Sequence, residues 1–276
     1  MSEIQLLVLD IDGTISGRLN VVSEPVKRAV RAVQARGIRV AIATGRMYGS
    51  AKRFHAAIGS DLPLICYQGA WFGLPETDER IRHVPLSQKI ALELLDRLAA
   101  PEWESLSVHC YIDDRLIVGD LSPITQEYVK RSKIQPEVVP DLSAALAANP
   151  PTKLLALGKD TELVGRLLID VREAYRPEEL YLTTSTPFFF EATDPRANKG
   201  SAVKYLAEET LGLSADRVMA IGDNFNDLEM LVYAGIGVAM GDAPEGVSSR
   251  ANWVAPSVEE DGVVAAIERF ILNDAG

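Results

Sequence analysis

The sequence predicts an α/β protein: a Rossmann-like parallel sheet with helices on both faces, and an α+β domain inserted between the two halves of that core. Three observations carry the prediction. Short, wholly apolar runs of strand length alternate with amphipathic helical segments at the start of the chain and again at its end. The middle of the chain loses that regularity, and its strand-like segments are more polar. Several of the apolar runs in the two outer parts stop at residues with oxygen-bearing or charged side chains.

LLVLD, from Leu6, reads as a buried strand. Ser23 caps the next segment, SEPVKRAVRAVQARG, with Pro25 in its first turn. Val26, Ala29, Val30 and Val33 recur at helical spacing, and Gly37 can end the helix. IRVAIAT is a second strand, MYGSAKRFHAAIG a second helix and LPLIC a third strand. The pattern changes near residue 82. A helix from Ser87 to Ala99 precedes SLSVHCYI and RLIVG, which flank Asp113 and Asp114 as a hairpin. Helical SPITQEYVKRSK, strand-like TKLLALG, helical DTELVGRLLIDVREAY and strand-like ELYLTTST follow. From Lys199 the buried pattern returns: KGSAVKYLAEETLG as helix, VMAIGD as strand and NDLEMLVYAG as helix. GIGVAM and NWVAP are short strands, and VEEDGVVAAIERFIL closes the chain as a helix. The expected division is a core of residues 1–84 and 190–276 with an insert at 85–189. Phe188, Phe189 and Phe190 lie where the insert rejoins the core, which suggests hinge or interdomain packing, with lining of a substrate crevice as the other reading.

At 276 residues, 47% hydrophobic and 24% charged, the chain has ordinary globular usage and room for one large or two modest domains. Its net charge of -11 argues against a nucleic-acid surface and against anionic membranes, but allows a small anionic ligand in a locally positive site. Cys66 and Cys110 sit in apolar runs and read as buried free thiols. MSEIQLLVLD lacks the basic start of a signal peptide, and no apolar run approaches the ~20 residues of a membrane helix, so a cytoplasmic monomer or small homo-oligomer is expected.

The chemistry lies at the strand ends. Asp10 and Asp12 follow the first strand two residues apart and so project to one side, with Gly13 permitting the turn. Two facing carboxylates repel, so one holds a proton or a cation sits between them. An Asp-rich turn after a strand is the plain alternative for D-x-D-G-T. The pair nevertheless already favours phosphoryl chemistry, which wants an ionised nucleophile, a protonated acid and Mg²⁺, and the other strand ends strengthen that reading. IATGR offers the Thr44 hydroxyl, the Gly45 amide and the Arg46 cation before a helix whose N-terminus could take an anion. Lys199 opens a helix, where a cation opposes the dipole and local stability does not call for it. GDNFND places Asp223, Asn226 and Asp227 at a further strand end, hard oxygen ligands suited to Mg²⁺, although Asn226 or Asp227 could equally cap the helix. GIGVAMG lacks dinucleotide-fingerprint spacing and reads as a tightly packed strand, and His55, His83 and His109 show no metal-ligand spacing.

DIDGT, ATGR, NKG and GDNFND, in that order and in those strand contexts, resemble the four motifs of the haloacid dehalogenase superfamily of phosphotransferases. The resemblance covers the whole chain, and the insert is similar to the type IIB cap of Cof-type phosphatases. It implies a Mg²⁺-dependent phosphatase acting on a small phosphorylated metabolite, with a sugar phosphate foremost. Asp10 would be the nucleophile and Asp12 the general acid and base. Thr44, Gly45, Arg46, Lys199 and Asn226 would serve the phosphate. Mg²⁺ would meet the Asp10 carboxylate, the Asp12 backbone carbonyl and Asp223, and Asp227 directly or through water. A phosphotransferase or phosphomutase, and a non-catalytic phosphometabolite-binding regulator, are the alternatives on the same fold. Gln68-Gly69 stands where many similar sequences carry Asn-Gly, which leaves a substrate contact there open.

Overall fold

The computed structural model describes residues 3–273; the expected domain limits extend to 1–2 and 274–276, which lie outside the described residues. Strand β1 (Leu6–Leu9) is buried throughout, as an unbroken apolar run covered on both faces requires. Helix α1 (Glu24–Ala35) starts at Ser23, whose hydroxyl accepts from the Val26 amide, and it turns Val26, Ala29, Val30 and Val33 inward. Next come β2 (Arg39–Ile42), α2 (Tyr48–Ile58) and β3 (Leu64–Cys66). β2 pairs with β1 in parallel, but β3 reaches the end of β2 only through a bridge between Ala43 and Ile65. It pairs instead with β4 (Trp71–Leu74), which pairs with β5 (Glu79–His83), in an antiparallel three-stranded sheet. The sequence reading has no counterpart for this hairpin, because β5 is exposed or half-buried throughout and carries no alternation.

The next elements are α3 (Gln88–Leu98), β6 (Ser107–Ile112), β7 (Arg115–Val118), α4 (Pro123–Ser132), β8 (Pro136–Val138) and α5 (Leu142–Ala148). They are followed by β9 (Lys153–Leu157), α6 (Thr161–Ala174), β10 (Tyr181–Thr183) and β11 (Phe189–Thr193). The six strands form one mixed sheet in the order β10-β11-β9-β6-β7-β8, with β6 and β7 paired antiparallel as expected. Alternation gives this sheet two different faces. Cys110, Ile112, Ile117, Leu154, Ala156, Phe190 and Ala192 pack against residues of α3, α5 and α6. Tyr111, Leu116, Val118, Leu155 and Leu157 join the cluster that also holds Leu7, Leu9 and Ile42 of the parallel sheet. The expected return to the core at residue 190 falls inside β11, which pairs with β9 through residues 189–192. Phe189 and Phe190 belong to β11, and Phe189 packs against the cluster that the six-stranded sheet shares with the parallel core. Phe190 is fully buried in the packing of the six-stranded sheet, while Phe188 and Phe189 line the cavity described below.

Helix α7 (Lys199–Lys204) continues at wider pitch to Thr210. β12 (Val218–Gly222), α8 (Leu228–Tyr233), β13 (Ile236–Ala239), α9 (Glu245–Ser248), β14 (Trp253–Val254) and α10 (Gly262–Ile267) complete the chain. β12 inserts beside β1, giving an all-parallel sheet in the order β14-β13-β12-β1-β2. The segments before and after the six-stranded sheet thus share one core. The GIGVAM run is β13, where a Cβ on Gly237 would lie 2.1 Å from the Leu231 carbonyl oxygen, so glycine admits the helix there. No helix among the described residues is long and apolar enough to cross a membrane.

Candidate active site

Leu9 stands in register with Ile42 and with Ile221, so the residues that follow β1, β2 and β12 emerge along one edge of the parallel sheet. That edge, beyond the carboxyl ends of the strands, is where open α/β sheets bind ligands. Asp10, Thr44 and Asp223 occupy it. Asn226 and Asp227 follow in a short 3₁₀ turn before α8, both buried. Lys199 is the first residue of α7, behind an Asn198 cap whose side chain accepts from the Ser201 amide. Its ammonium is fully buried, 2.5 Å from Asp10 Oδ1 and 2.5 Å from Asp227 Oδ1. A cation at a helix N-terminus is thereby explained, since two carboxylates outweigh the dipole.

The carboxylates crowd one another. Burial, with repulsion from Asp227 and Asp12, raises Asp10 to about 7 against the pull of Lys199. Burial and repulsion from Asp227 and Asp10 raise Asp223 to about 9. Burial alone would lower the Lys199 pKa, but Asp10 and Asp227 overcome it and hold the ammonium charged. One oxygen from each of Asp10, Asp223 and Asp227 lies within 4.8 Å of the others. Gly13, at φ 79°, makes room for this cluster: a Cβ there would fall 2.2 Å from Asp223 Oδ2. Asp227 Oδ2 accepts from the amides of Asp223 and Asn224, which fixes the turn. Three convergent hard oxygens whose mutual repulsion a cation would relieve fit a divalent ion such as Mg²⁺.

Asp12 lies outside this cluster. Its carboxylate is clamped by Arg46, with Nε 2.7 Å from Oδ2 and Nη2 2.6 Å from Oδ1. Desolvation in the cleft would raise its pKa, but the Arg46 hydrogen bonds and charge prevail and lower it. The repulsion expected between Asp10 and Asp12 is thus met by two separate cations, Lys199 and Arg46. Arg46 also donates to Asn20 Oδ1 at 2.8 Å, and its amide donates to Thr44 Oγ1 at 3.2 Å. Gly45 passes so close to Gln68 that a Cβ would sit 2.4 Å from Nε2. One expectation is overturned here. The first amides of α2 do not await an anion: Tyr48 N and Gly49 N each donate at 2.8 Å to the carboxylate of Asp114, from the β6–β7 turn.

A cavity of about 760 Å³ opens over this edge. Asp10, Asp12, Thr44, Gly45, Arg46, Asp223 and Asn226 line its floor, and the six-stranded sheet with α4 supplies the roof through Lys153, Leu155, Leu157, Phe189, Glu191 and Tyr128. Arg131, near the end of α4, brings its guanidinium within 3.7 Å of Asp12. Sequence reasoning missed Lys153 and Glu191. The available signal was a lone charge inside each of the apolar runs TKLLAL and FFFEAT, where an inward-facing strand position would normally be apolar. Gln68 is buried, and it contacts Asn226 and Glu191. His55 bonds to the Leu62 carbonyl, His83 to Thr152 and His109 to Thr125.

Residues 7–267 match the family model of haloacid dehalogenase-like hydrolases. YxeH of Bacillus subtilis (strain 168) is 31% identical, over 97% of this chain and 98% of that protein. The 5-amino-6-(5-phospho-D-ribitylamino)uracil phosphatase YcsE of the same strain is 27% identical, over 98% of this chain and 97% of its own. A haloacid dehalogenase-like hydrolase from Bacteroides thetaiotaomicron has the same architecture, with a TM-score of 0.82 at 26% identity, covering 97% of this chain and 99% of that one.

Proposed function

The chain belongs to the haloacid dehalogenase-like hydrolases as a phosphoric monoester hydrolase, and from that premise we propose that it cleaves a small phosphorylated metabolite through an aspartyl-phosphate on Asp10. The observation that carries this reading is the buried Lys199 ammonium, beneath the cavity floor, shared by Asp10 and Asp227. It opposes the burial and repulsion that push the Asp10 pKa up, and so favours the ionised carboxylate that a nucleophile must be.

The Asp10 oxygen not engaged by Lys199 attacks phosphorus, and the alcohol oxygen departs with a proton from Asp12. Water then attacks the aspartyl-phosphate, Asp12 takes its proton, and the bond from Asp10 to phosphorus breaks. Arg46 governs the timing. Paired with Asp12 it holds that carboxylate ionised. An arriving phosphate competes for the guanidinium, and Asp12 then takes a proton from solvent or from the phosphate monoanion, the proton it passes to the departing alcohol. Thr44 and Asn226 offer a hydroxyl and an amide at the same floor. Asp10, Asp223 and Asp227 would hold Mg²⁺, which supplies charge neutralisation for the phosphate oxygens.

A sugar or polyol phosphate suits the cavity, whose walls add Glu127, Lys159 and Ser185 as partners for hydroxyl groups. The relative YcsE is named for an ester carrying a phospho-D-ribityl group, which supports the same class. The test is phosphate release from a panel of phosphorylated metabolites, with Mg²⁺ and with excess chelator. Release from a few members, lost on chelation and lost in Asp10→Asn, is expected. Turnover by Asp10→Asn above a few per cent of wild type would remove Asp10 from the nucleophile's role.

A further inference from the structure

A buried chain of polar side chains joins the roof to the floor, and the reaction steps above give its Lys153, Glu191 and Gln68 no task. Lys153 Nζ on β9 donates to Glu191 Oε2 on β11 at 2.8 Å and to the Gly45 carbonyl oxygen at 2.9 Å. Gln68 Nε2 donates to the same Glu191 oxygen at 3.2 Å, and Asn226 Nδ2 donates to Gln68 Oε1 at 3.2 Å. Ser185 Oγ donates to the other Glu191 oxygen. The Lys153 and Glu191 side chains are 4% and 1% exposed, and Gln68 is fully buried. Charges this deep need compensation, and here each charge has the other plus hydrogen bonds into the parallel core.

The polarity of this chain runs one way. A carboxylate only accepts, so Glu191 obliges Gln68 to turn its NH₂ group toward the roof. Gln68 must then present Oε1 to Asn226, which draws the Asn226 NH₂ group toward Gln68. Asn226 lines the cavity, and its Oδ1 has no hydrogen-bond partner. One Nδ2 hydrogen remains beyond the bond to Gln68, the donor a phosphate oxygen requires. The same sheet fixes the other side of the floor, because Lys153 holds the turn that carries Thr44 and Arg46 by its Gly45 carbonyl.

We propose that Glu191, acting through Gln68, is a positioning residue for the phosphate site: when the six-stranded sheet is seated on the core, it sets the orientation of the Asn226 amide. Lys153 neutralises Glu191 and anchors the Gly45 turn, so the roof both covers the floor and completes it. The role is tied to side-chain length, since an asparagine at 68 is one methylene too short to span from Asn226 to Glu191. The proposal rests on the phosphatase reading given above.

Gln68→Asn and Glu191→Gln are compared with wild type as full chains in Mg²⁺, over phosphate esters that differ in their alcohol, with inhibition by inorganic phosphate as a second readout. Because the lost contact lies on the phosphate side, kcat/KM falls by one common factor, roughly tenfold, for every ester, and the inhibition constant for inorganic phosphate rises in parallel. A lower unfolding midpoint with both constants unchanged would show a merely structural network and overturn the proposal. A fall confined to some esters would also overturn it, by placing these residues in recognition of the alcohol. Wild-type protein that releases phosphate from no ester sinks the phosphatase reading itself, and this proposal with it. Should Glu191→Gln fail to fold, Gln68→Asn decides alone, because it leaves the Lys153–Glu191 pair intact.

Discussion

Lys199 sits where a helix dipole disfavours a cation and where water does not reach it, yet it is held charged. The residues around it explain why and were largely legible beforehand. Asp10, Thr44 and Asp223 follow apolar strands directly, and a polar group at a strand end is visible in a linear chain. Lys153 and Glu191 were not legible as a pair, since 38 residues separate them and each looks like an isolated charge. The crowding at the floor makes a prediction about single residues. Asp223 is raised to about 9 without a cation, so at neutral pH its ionisation in the folded protein is disfavoured. Replacing it by asparagine removes repulsion and one metal ligand together. Asp223→Asn should match or exceed the thermal midpoint of wild type in chelator. Excess Mg²⁺ should then raise the wild-type midpoint by several degrees and leave the variant's unmoved, as ligand linkage requires. An equal Mg²⁺ response in both proteins would exclude Asp223 from the ion's ligands.

At the scale of elements, helix α2 shows what a sequence conceals. Its periodicity and its end at Gly59 are written locally. Its beginning is not: Met47 at the N-cap position makes no side-chain bond, and Asp114, 66 residues from Tyr48, caps the helix instead. The hairpin of β6 and β7 was legible from its two apolar runs, but the destination of its acidic turn was not. The hairpin of β4 and β5 escaped detection because an exposed edge strand needs no alternation. Asp114 accepts from two helix amides and from the Tyr67 hydroxyl at 2.7 Å, so its loss leaves three donors unmet. Asp114→Ala should lower the free energy of unfolding by about 1–2 kcal/mol, the usual worth of an N-cap. It should also speed proteolysis near the β6–β7 turn, because this cap joins the six-stranded sheet to the core. Urea denaturation unchanged from wild type would mean that water replaces the carboxylate at no cost.

For the whole molecule, the division of the six-stranded sheet into two faces couples its roof to its stability. The inward face carries Lys153, Glu191 and His109 among apolar neighbours, a mixture that strand alternation alone cannot distinguish from core. The expected end of the insert at residue 189 falls within β11, which is hydrogen-bonded to β9 through residues 189–192. His109 supplies a pH signature of this arrangement. It is fully buried, with Nε2 3.0 Å from Thr125 Oγ1 and its ring edge-on to Tyr128. Burial, reinforced by the Lys153 charge, depresses its pKa from 6.5 to about 3. Below pH 6.5 the unfolded chain therefore binds a proton that the folded chain refuses until about pH 3. Stability from this residue is complete above pH 6.5 and is lost progressively as pH falls, by about 2 kcal/mol between pH 7 and pH 5. Carboxylates titrate over part of the same range, Asp10 and Asp223 with the opposite sign, so the wild-type curve alone does not isolate the histidine. The difference between wild type and His109→Gln does, because distant contributions shared by both proteins cancel. Urea unfolding at a series of pH values should show the wild type losing about 2 kcal/mol more than His109→Gln on passing from pH 7 to pH 5. Parallel curves for the two proteins would mean that His109 accepts its proton in the folded state, and that the inward face of the sheet admits water at that point.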